Sequence, residues 1–148
     1  IRQLRPKFRI TIFARSLYNN KKVKFLANKF KLDILFDQDE EQVAKLYLNH
    51  SFLLYPNTYE DFGMPPVEAL ACGCIPVQRP NIGAADMYSI NNFNSIHLSN
   101  NIKKDIIKII KTLENNKKLK RFRKNALKKI NIFNPKDYGN RIIKGFEY

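Results

Sequence analysis

Apolar and polar positions alternate along Phe8-Arg9-Ile10-Thr11-Ile12-Phe13, and the β-branched and aromatic side chains in that run predict a strand. The period then lengthens. Val23, Leu26, Ala27 and Phe30 recur at helical spacing within Lys21–Phe30, with lysines between them on a solvated face. Leu32–Phe36 predicts a second strand. Asp37-Gln38-Asp39-Glu40-Glu41 next puts acids where a helix N-terminus favours negative charge, ahead of Val43, Ala44, Leu46, Tyr47 and Leu48. Ser51–Tyr55 is a compact apolar run closed by Pro56, as in a buried parallel strand. After a loop, Asn57–Gly63, the pair Pro65-Pro66 suits a first helical turn, whose N–H groups have no partner in any case, and Val67–Cys72 carries that helix to a stop at Gly73. Short strands at Ile75–Val77 and Ser95–Leu98 follow, then helical patterns at Ile102–Leu113, Leu119–Ile130 and Asp137–Phe146. Strands alternating with helices imply an α/β fold, a parallel sheet with helices on both faces.

The length of 148 residues is the usual size of one domain, so 1–148 is expected to be a single unit that closes with helices over 101–148. With 44% hydrophobic and 12% aromatic residues, the composition excludes a disordered or low-complexity chain. No run reaches the roughly 20 apolar residues of a membrane span, and Ile1-Arg2-Gln3-Leu4-Arg5-Pro6 has no signal-peptide h-region. Cys72 and Cys74 are too close in sequence for an ordinary disulfide and too few for a zinc site. A reduced, cytoplasmic protein is the expectation. The net charge of +14 is lopsided: residues 101–148 hold 15 Lys and Arg against 4 acids. Codon bias offers a plain origin for it, since 19 Lys, 17 Asn and 17 Ile is the usage that AT-rich coding produces.

Candidate chemistry concentrates between Tyr55 and Val77. Here a strand leads through a polar loop into a helix N-terminus, and crevices at the carboxyl ends of parallel strands are where α/β proteins take ligands. Phe62, Gly63 and Met64 keep their backbone N–H groups whereas Pro65 and Pro66 have none, so an anion would be cradled just ahead of the prolines. Gly63 permits close approach. Glu60 in the loop and Glu68 one turn into the helix offer carboxylates to the hydroxyls of a sugar or ribose. Asn81-Ile82-Gly83-Ala84-Ala85-Asp86 supplies a second polar loop after the next strand.

This segment resembles the hallmark of the family 4 (group 1) glycosyltransferases of GT-B fold. Glu60 and Glu68, with seven residues between them, match the E-x7-E pair, and Phe62-Gly63-Met64-Pro65, Glu68-Ala69-Leu70-Ala71, Gly73 and Pro76-Val77 match the residues around it. The likeness extends over about residues 8–146. It implies a Rossmann-like donor-binding domain, the C-terminal half of a GT-B enzyme, without the strand and helix that normally open that half. Glu60 would then be the catalytic glutamate and hold the donor sugar. Glu68 would bind the ribose, and Phe62, Gly63, Met64 and Gly83 would line the sugar and diphosphate. The implied reaction is retaining transfer of a hexosyl group from a nucleotide-diphosphate sugar, with no further cofactor and no metal, to an acceptor glycan or lipid-linked glycan brought by an N-terminal domain absent here. The isolated chain is accordingly expected to be inactive. Asp61 stands where the family has a small residue, and a carboxylate there must be paired or turned away from a diphosphate. Asp86 stands where the family has Glu.

Other patterns lead to plainer readings. Asp37-Gln38-Asp39 matches the DxD of metal-dependent glycosyltransferases, but acids at a helix start explain it without a metal. His50 and His97 have no partner pattern, and Cys72 and Cys74 read as small packing residues. Eight Lys and Arg over 117–129 offer a surface for anionic lipid at the inner face of a membrane. The alternative functions are a basic module for nucleic acid or anionic membrane, or a degenerate non-catalytic relative. Nucleic acid is not the expected partner, because no recognised motif occurs and Asp33–Glu68 carries eight acids against Lys45 alone.

Overall fold

The computed structural model describes residues 1, 8–14, 21–81 and 83–130, which fall into two compact units, Ile1–Lys45 and Leu46–Tyr148. The helix expected over Asp137–Phe146 lies outside the described residues.

In the first unit, β1 (Thr11–Ala14) and β2 (Asp33–Phe36) pair in parallel with Thr11 opposite Asp33 and Ala14 opposite Phe36, joined through α1 (Lys21–Phe30). The alternation from Phe8 placed the first strand three residues too early, because pairing begins only where β2 supplies a partner: the Asp33 N–H donates to the Ile10 carbonyl at 3.1 Å. α1 ends without glycine. Lys31 takes a left-handed φ of 52°, which lets the Lys31 and Leu32 N–H groups close back on the carbonyls of Asn28 and Ala27. α2 (Glu40–Asn49) opens in this unit with a reciprocal cap, the Gln42 N–H donating to Asp39 Oδ1 and the Asp39 N–H to Gln42 Oε1. The DxD acid Asp39 is thus a helix cap.

The second unit is built on three parallel strands in the order β3 (Phe52–Tyr55), β4 (Ile75–Gln78) and β5 (Ile96–His97). β4 lies in the middle and all four of its residues are buried. Its proline is tolerated there for a geometric reason. The Ile75 N–H bonds toward β3, to the Ser51 carbonyl, so the alternate residue Pro76 faces the side of β5, which starts only opposite Val77. The connection from β3 to β4 is α3 (Met64–Ala71), with Pro65 and Pro66 in its first turn. It stops at Gly73, whose φ of 69° allows the Gly73 and Cys74 N–H groups to donate to the carbonyls of Leu70 and Ala69. A 3-10 helix, Gly83–Met87, follows β4 where the sequence suggested only a loop.

α4 (Ile102–Leu113) and α5 (Asn116–Ile130) pack on each other, and α5 also packs on α3 and β4. Asn101 caps α4 through the Lys104 N–H, and Asn115 starts α5 three residues ahead of its expected origin by accepting from the Lys118 N–H. The apolar stripe of α5 delivers Phe122 and Ala126, both fully buried, to a core shared with Ala69, Leu70, Ile75, Val77, Ile96 and Ile109. No described helix is long and apolar enough to cross a membrane. Because Phe122 is the largest fully buried side chain, Phe122→Ala should lower unfolding free energy by about 3–5 kcal/mol in urea titrations. A loss below about 1 kcal/mol would show that α5 does not close this core.

Candidate functional site

β3 and β4 end side by side, Tyr55 opposite Gln78, and the segments that leave them converge. The Ala85 N–H donates to the Phe62 carbonyl at 2.9 Å, tying the 3-10 helix to the loop ahead of α3. Gly83 sits against that same loop. A Cβ at this position would lie 2.7 Å from the Glu60 carbonyl oxygen and meet the Asp61 carbonyl closer still, and the φ of 58° is itself left-handed. Glycine is therefore required by backbone packing between the two segments.

Both motif glutamates are held by tyrosines. Glu60 Oε1 accepts from the Tyr55 hydroxyl and from Asn57 Nδ2, the latter at 2.8 Å. Those two donors hold the Glu60 carboxyl below the usual carboxylate range. Glu68, on the exposed side of α3, accepts at Oε2 from the hydroxyl of buried Tyr47, 3.3 Å away. Burial, and after it the charge of Glu68, pushes the Tyr47 phenol well above its ordinary pKa. Tyr55 is pushed up to about 12 by burial and then by its bond to Glu60, and the charge of Glu68 adds to this. Tyr55 thus stands within electrostatic reach of both carboxylates.

Beside them is an anion-compatible helix start. Gly63 caps α3 at φ 76°, no side chain caps it, and among the described residues the N–H groups of Phe62, Gly63 and Met64 have no acceptor. Unpaired N–H groups and the helix dipole together favour a negative group at this end. Gly63 is buried, while Phe62 and Met64 are 41% and 50% exposed, leaving two apolar side chains open beside the amides. Asp61 is paired, accepting from the Tyr59 hydroxyl at 3.2 Å.

Periodicity did not single out several residues that shape this site. Tyr55 looked like the end of an apolar strand and Tyr47 like core, although a tyrosine closing an aliphatic run at a strand's carboxyl end is a signal in retrospect. Asn57, three residues before Glu60, is its other donor. Gln78, fully buried, donates from Nε2 to Asp86 Oδ1 at 3.0 Å, and Asp86 Oδ2 accepts from the Asn81 N–H, so Asp86 braces the turn after β4. The Gln78 Oε1 is buried with no partner among the described residues.

The remaining candidates serve structure. His50 Nδ1 and His97 Nε2 bond to the carbonyls of Leu46 and Ser89. Cys72 and Cys74 are free thiols, and burial pushes Cys74 up to about 12, which suppresses the thiolate a nucleophile would need. Among the described residues no group of three or more His, Cys, Asp or Glu is placed to hold a metal ion.

A Rossmann-like α/β domain with loops meeting at the carboxyl ends of parallel strands is the architecture of one half of a GT-B glycosyltransferase, and solved structures of that type superpose on it. A sucrose-phosphate synthase from Thermosynechococcus elongatus matches 92% of this chain with 37% of its own (TM-score 0.72, 18% identity). HepE of Anabaena, solved in complex with UDP-glucose, matches 95% with 41% (TM-score 0.74, 18% identity). A glycosyltransferase from Rickettsia africae matches 96% with 40% (TM-score 0.68, 19% identity). The chain therefore spans about two fifths of the length of each, and at these identities the likeness is one of fold. Among curated protein sequences none matches. The sequence model of the group 1 glycosyl transferases matches residues 2–129, and the chain belongs to that family.

Gly73 and Gly83, both left-handed, separate packing from backbone cost. A Cβ at Gly73 meets nothing within 4 Å, so Gly73→Ala should cost only the left-handed conformation, about 1–2 kcal/mol. Gly83→Ala must in addition displace the Glu60–Asp61 backbone, and thermal denaturation should show the larger loss. Equal losses would mean that the two loops are not in contact.

Proposed function

We propose that this chain binds the nucleotide-diphosphate sugar of a retaining hexosyltransferase. The observation that carries this reading is the convergence, at the carboxyl end of β3, of two tyrosine-held glutamates with three acceptor-free amides at the start of α3. The amides of Phe62, Gly63 and Met64 stabilise the diphosphate, both in the bound donor and as charge builds on it when the glycosidic bond breaks. Glu68 accepts hydrogen bonds from the ribose hydroxyls. Glu60, kept ionised by its two donors, accepts from a hydroxyl of the sugar and fixes the reacting carbon. Gly83, packed on the Glu60 and Asp61 carbonyls, fixes the loop that carries Glu60. In this reading helix N–H groups, rather than a metal, face the diphosphate, and the Asp61 carboxylate is engaged by the Tyr59 hydroxyl. The acceptor glycan or lipid-linked glycan comes on another domain, so the isolated chain binds donor without turnover.

Calorimetric and thermal-shift titrations with UDP, GDP, ADP and their sugars test this. At a hundred times its Kd the right nucleotide sugar adds about 2.7 kcal/mol, roughly 5–10 °C in Tm, and Glu68→Ala should abolish the gain. A well-folded chain that responds to no nucleotide would instead identify an incomplete or degenerate site. Salt-sensitive binding of an oligonucleotide would favour the nucleic-acid reading.

A second reading is favoured by the exposed face of α5. Lys117, Lys120, Arg121, Lys124 and Lys128 recur there at helical spacing, with Leu127 47% exposed among them. Nearby lysines already crowd one another: burial, then the charges of Lys118 and Lys104, push the Lys108 ammonium down in pKa. This face suits an anionic membrane surface, where each cation gains about 1 kcal/mol, and would bring a cytoplasmic enzyme to a lipid-linked acceptor. Vesicles containing phosphatidylserine should co-sediment the chain at low salt, and Lys120→Glu with Lys124→Glu should release it. Equal binding to neutral phosphatidylcholine vesicles would rule the surface out.

A further inference from the structure

Glu60 is tied down asymmetrically. Two donors converge on Oε1, from Tyr55 at the end of β3 and from Asn57 at the start of the following loop, whereas Oε2 has no partner among the described residues. A carboxylate that is free to rotate presents both oxygens to a ligand, and two neighbouring hydroxyls can then chelate it. With Oε1 committed to two protein donors, one oxygen is left for recognition. We propose that Tyr55 and Asn57 are positioning residues that lock Glu60 into a single-acceptor state, so that Oε2 selects one hydroxyl of the donor sugar rather than a pair. This rests on the donor-binding reading above.

The surroundings support it. The carrier of the second donor is short and local, three residues before Glu60, and the first is the last residue of β3, paired there with Gln78 of β4, so the orientation of Glu60 is set from the sheet as well as from its own loop. From the 3-10 helix, Gly83 abuts the Glu60 carbonyl and blocks the loop from shifting as a body. The charged groups around are accounted for. Glu68 acts on Tyr55 from α3, Asp61 beside Glu60 is bonded to Tyr59, and Asp86 beyond Gly83 is bonded to Gln78 and Asn81. None of these donates to Glu60. Tyr55 and Asn57 thus provide the only hydrogen bonds found to the carboxylate among the described residues.

Because these bonds favour the charged form, Glu60 is ionised in the folded chain to lower pH than in an unfolded one. The associated stabilisation is present above the unfolded pKa and fades as pH falls through the folded one. The test uses the full chain, with Tyr55→Phe, which keeps the ring, and Asn57→Ala. Carbon-detected NMR titration of the Glu60 carboxyl needs no ligand. It should show a pKa below the ordinary value in the parent and a return toward that value in each variant. Calorimetry with UDP-glucose, GDP-mannose and ADP-glucose, each beside its sugar-free nucleotide, should show the sugar's added affinity falling roughly 3- to 10-fold in the variants while the nucleotide alone binds as before. An unmoved Glu60 titration in both variants overturns the inference, and so does a sugar increment that survives them. A parent that binds none of the nucleotide sugars removes the donor reading itself. The ligand-free titration tells that failure apart from a failure of the Tyr55 and Asn57 bonds.

Discussion

Burial of the central strand β4 is the constraint on which the second unit depends. β3 pairs with all four residues of β4 on one edge, β5 covers Val77 and Gln78 on the other, and α3 and α5 pack on it; the apolar area this removes from water is the main favourable term available to so short a strand. Covering β4 obliges α3 to turn back sharply, which Gly73 permits by closing two hydrogen bonds onto the last turn of the helix. It also obliges β3 and β4 to end in register, Tyr55 beside Gln78. Loops that leave two neighbouring strand ends must meet, and the candidate site is the place where they meet.

Polar chemistry at that place is settled by local pairing. Each motif glutamate has one oxygen engaged by a tyrosine that is half-buried or buried, so the charges are oriented without being removed from solvent. The same economy handles the acids around them, Asp61 through Tyr59 and Asp86 through Gln78 and Asn81. The amides ahead of α3, the second oxygen of Glu60 and the buried Oε1 of Gln78 stay without partners among the described residues. The helix dipole at α3 and the carboxylates lie on different parts of one bound molecule in the proposed complex, the first on the diphosphate and the second on hydroxyls, so their opposite signs do not conflict.

The cationic surplus has a different origin from the site. It belongs to the exposed faces of α4 and α5, whose buried faces build the core through Ile109, Ile110, Phe122 and Ala126. The one acid within these helices, Asp105, is turned inward to accept from the Ser99 N–H and hydroxyl. Positive charge is therefore left on a surface that packing does not use.

Most element types were legible in the sequence, and for identifiable reasons. Lys21–Phe30 and Ile102–Leu113 carry an uninterrupted helical period, and both helices have those bounds. Strand ends were less so, because a strand begins and stops where its neighbour does: the first strand starts at Thr11 and the last is only Ile96–His97. For the site, the spacing of Glu60 and Glu68, the amide-bearing residues ahead of two prolines, and the family they resemble could all be read directly, since these are properties of one continuous segment. Tyr47, Tyr55 and Gln78 could not. Their side chains read as core positions, and only the packing of α2, β3 and β4 beside α3 brings their polar atoms onto the glutamates and Asp86. Sequence determined which groups are available for the proposed chemistry, because residue type and local spacing fix what each can donate or accept; tertiary structure decided which oxygen of each carboxylate remains open, because that depends on partners up to 21 residues away.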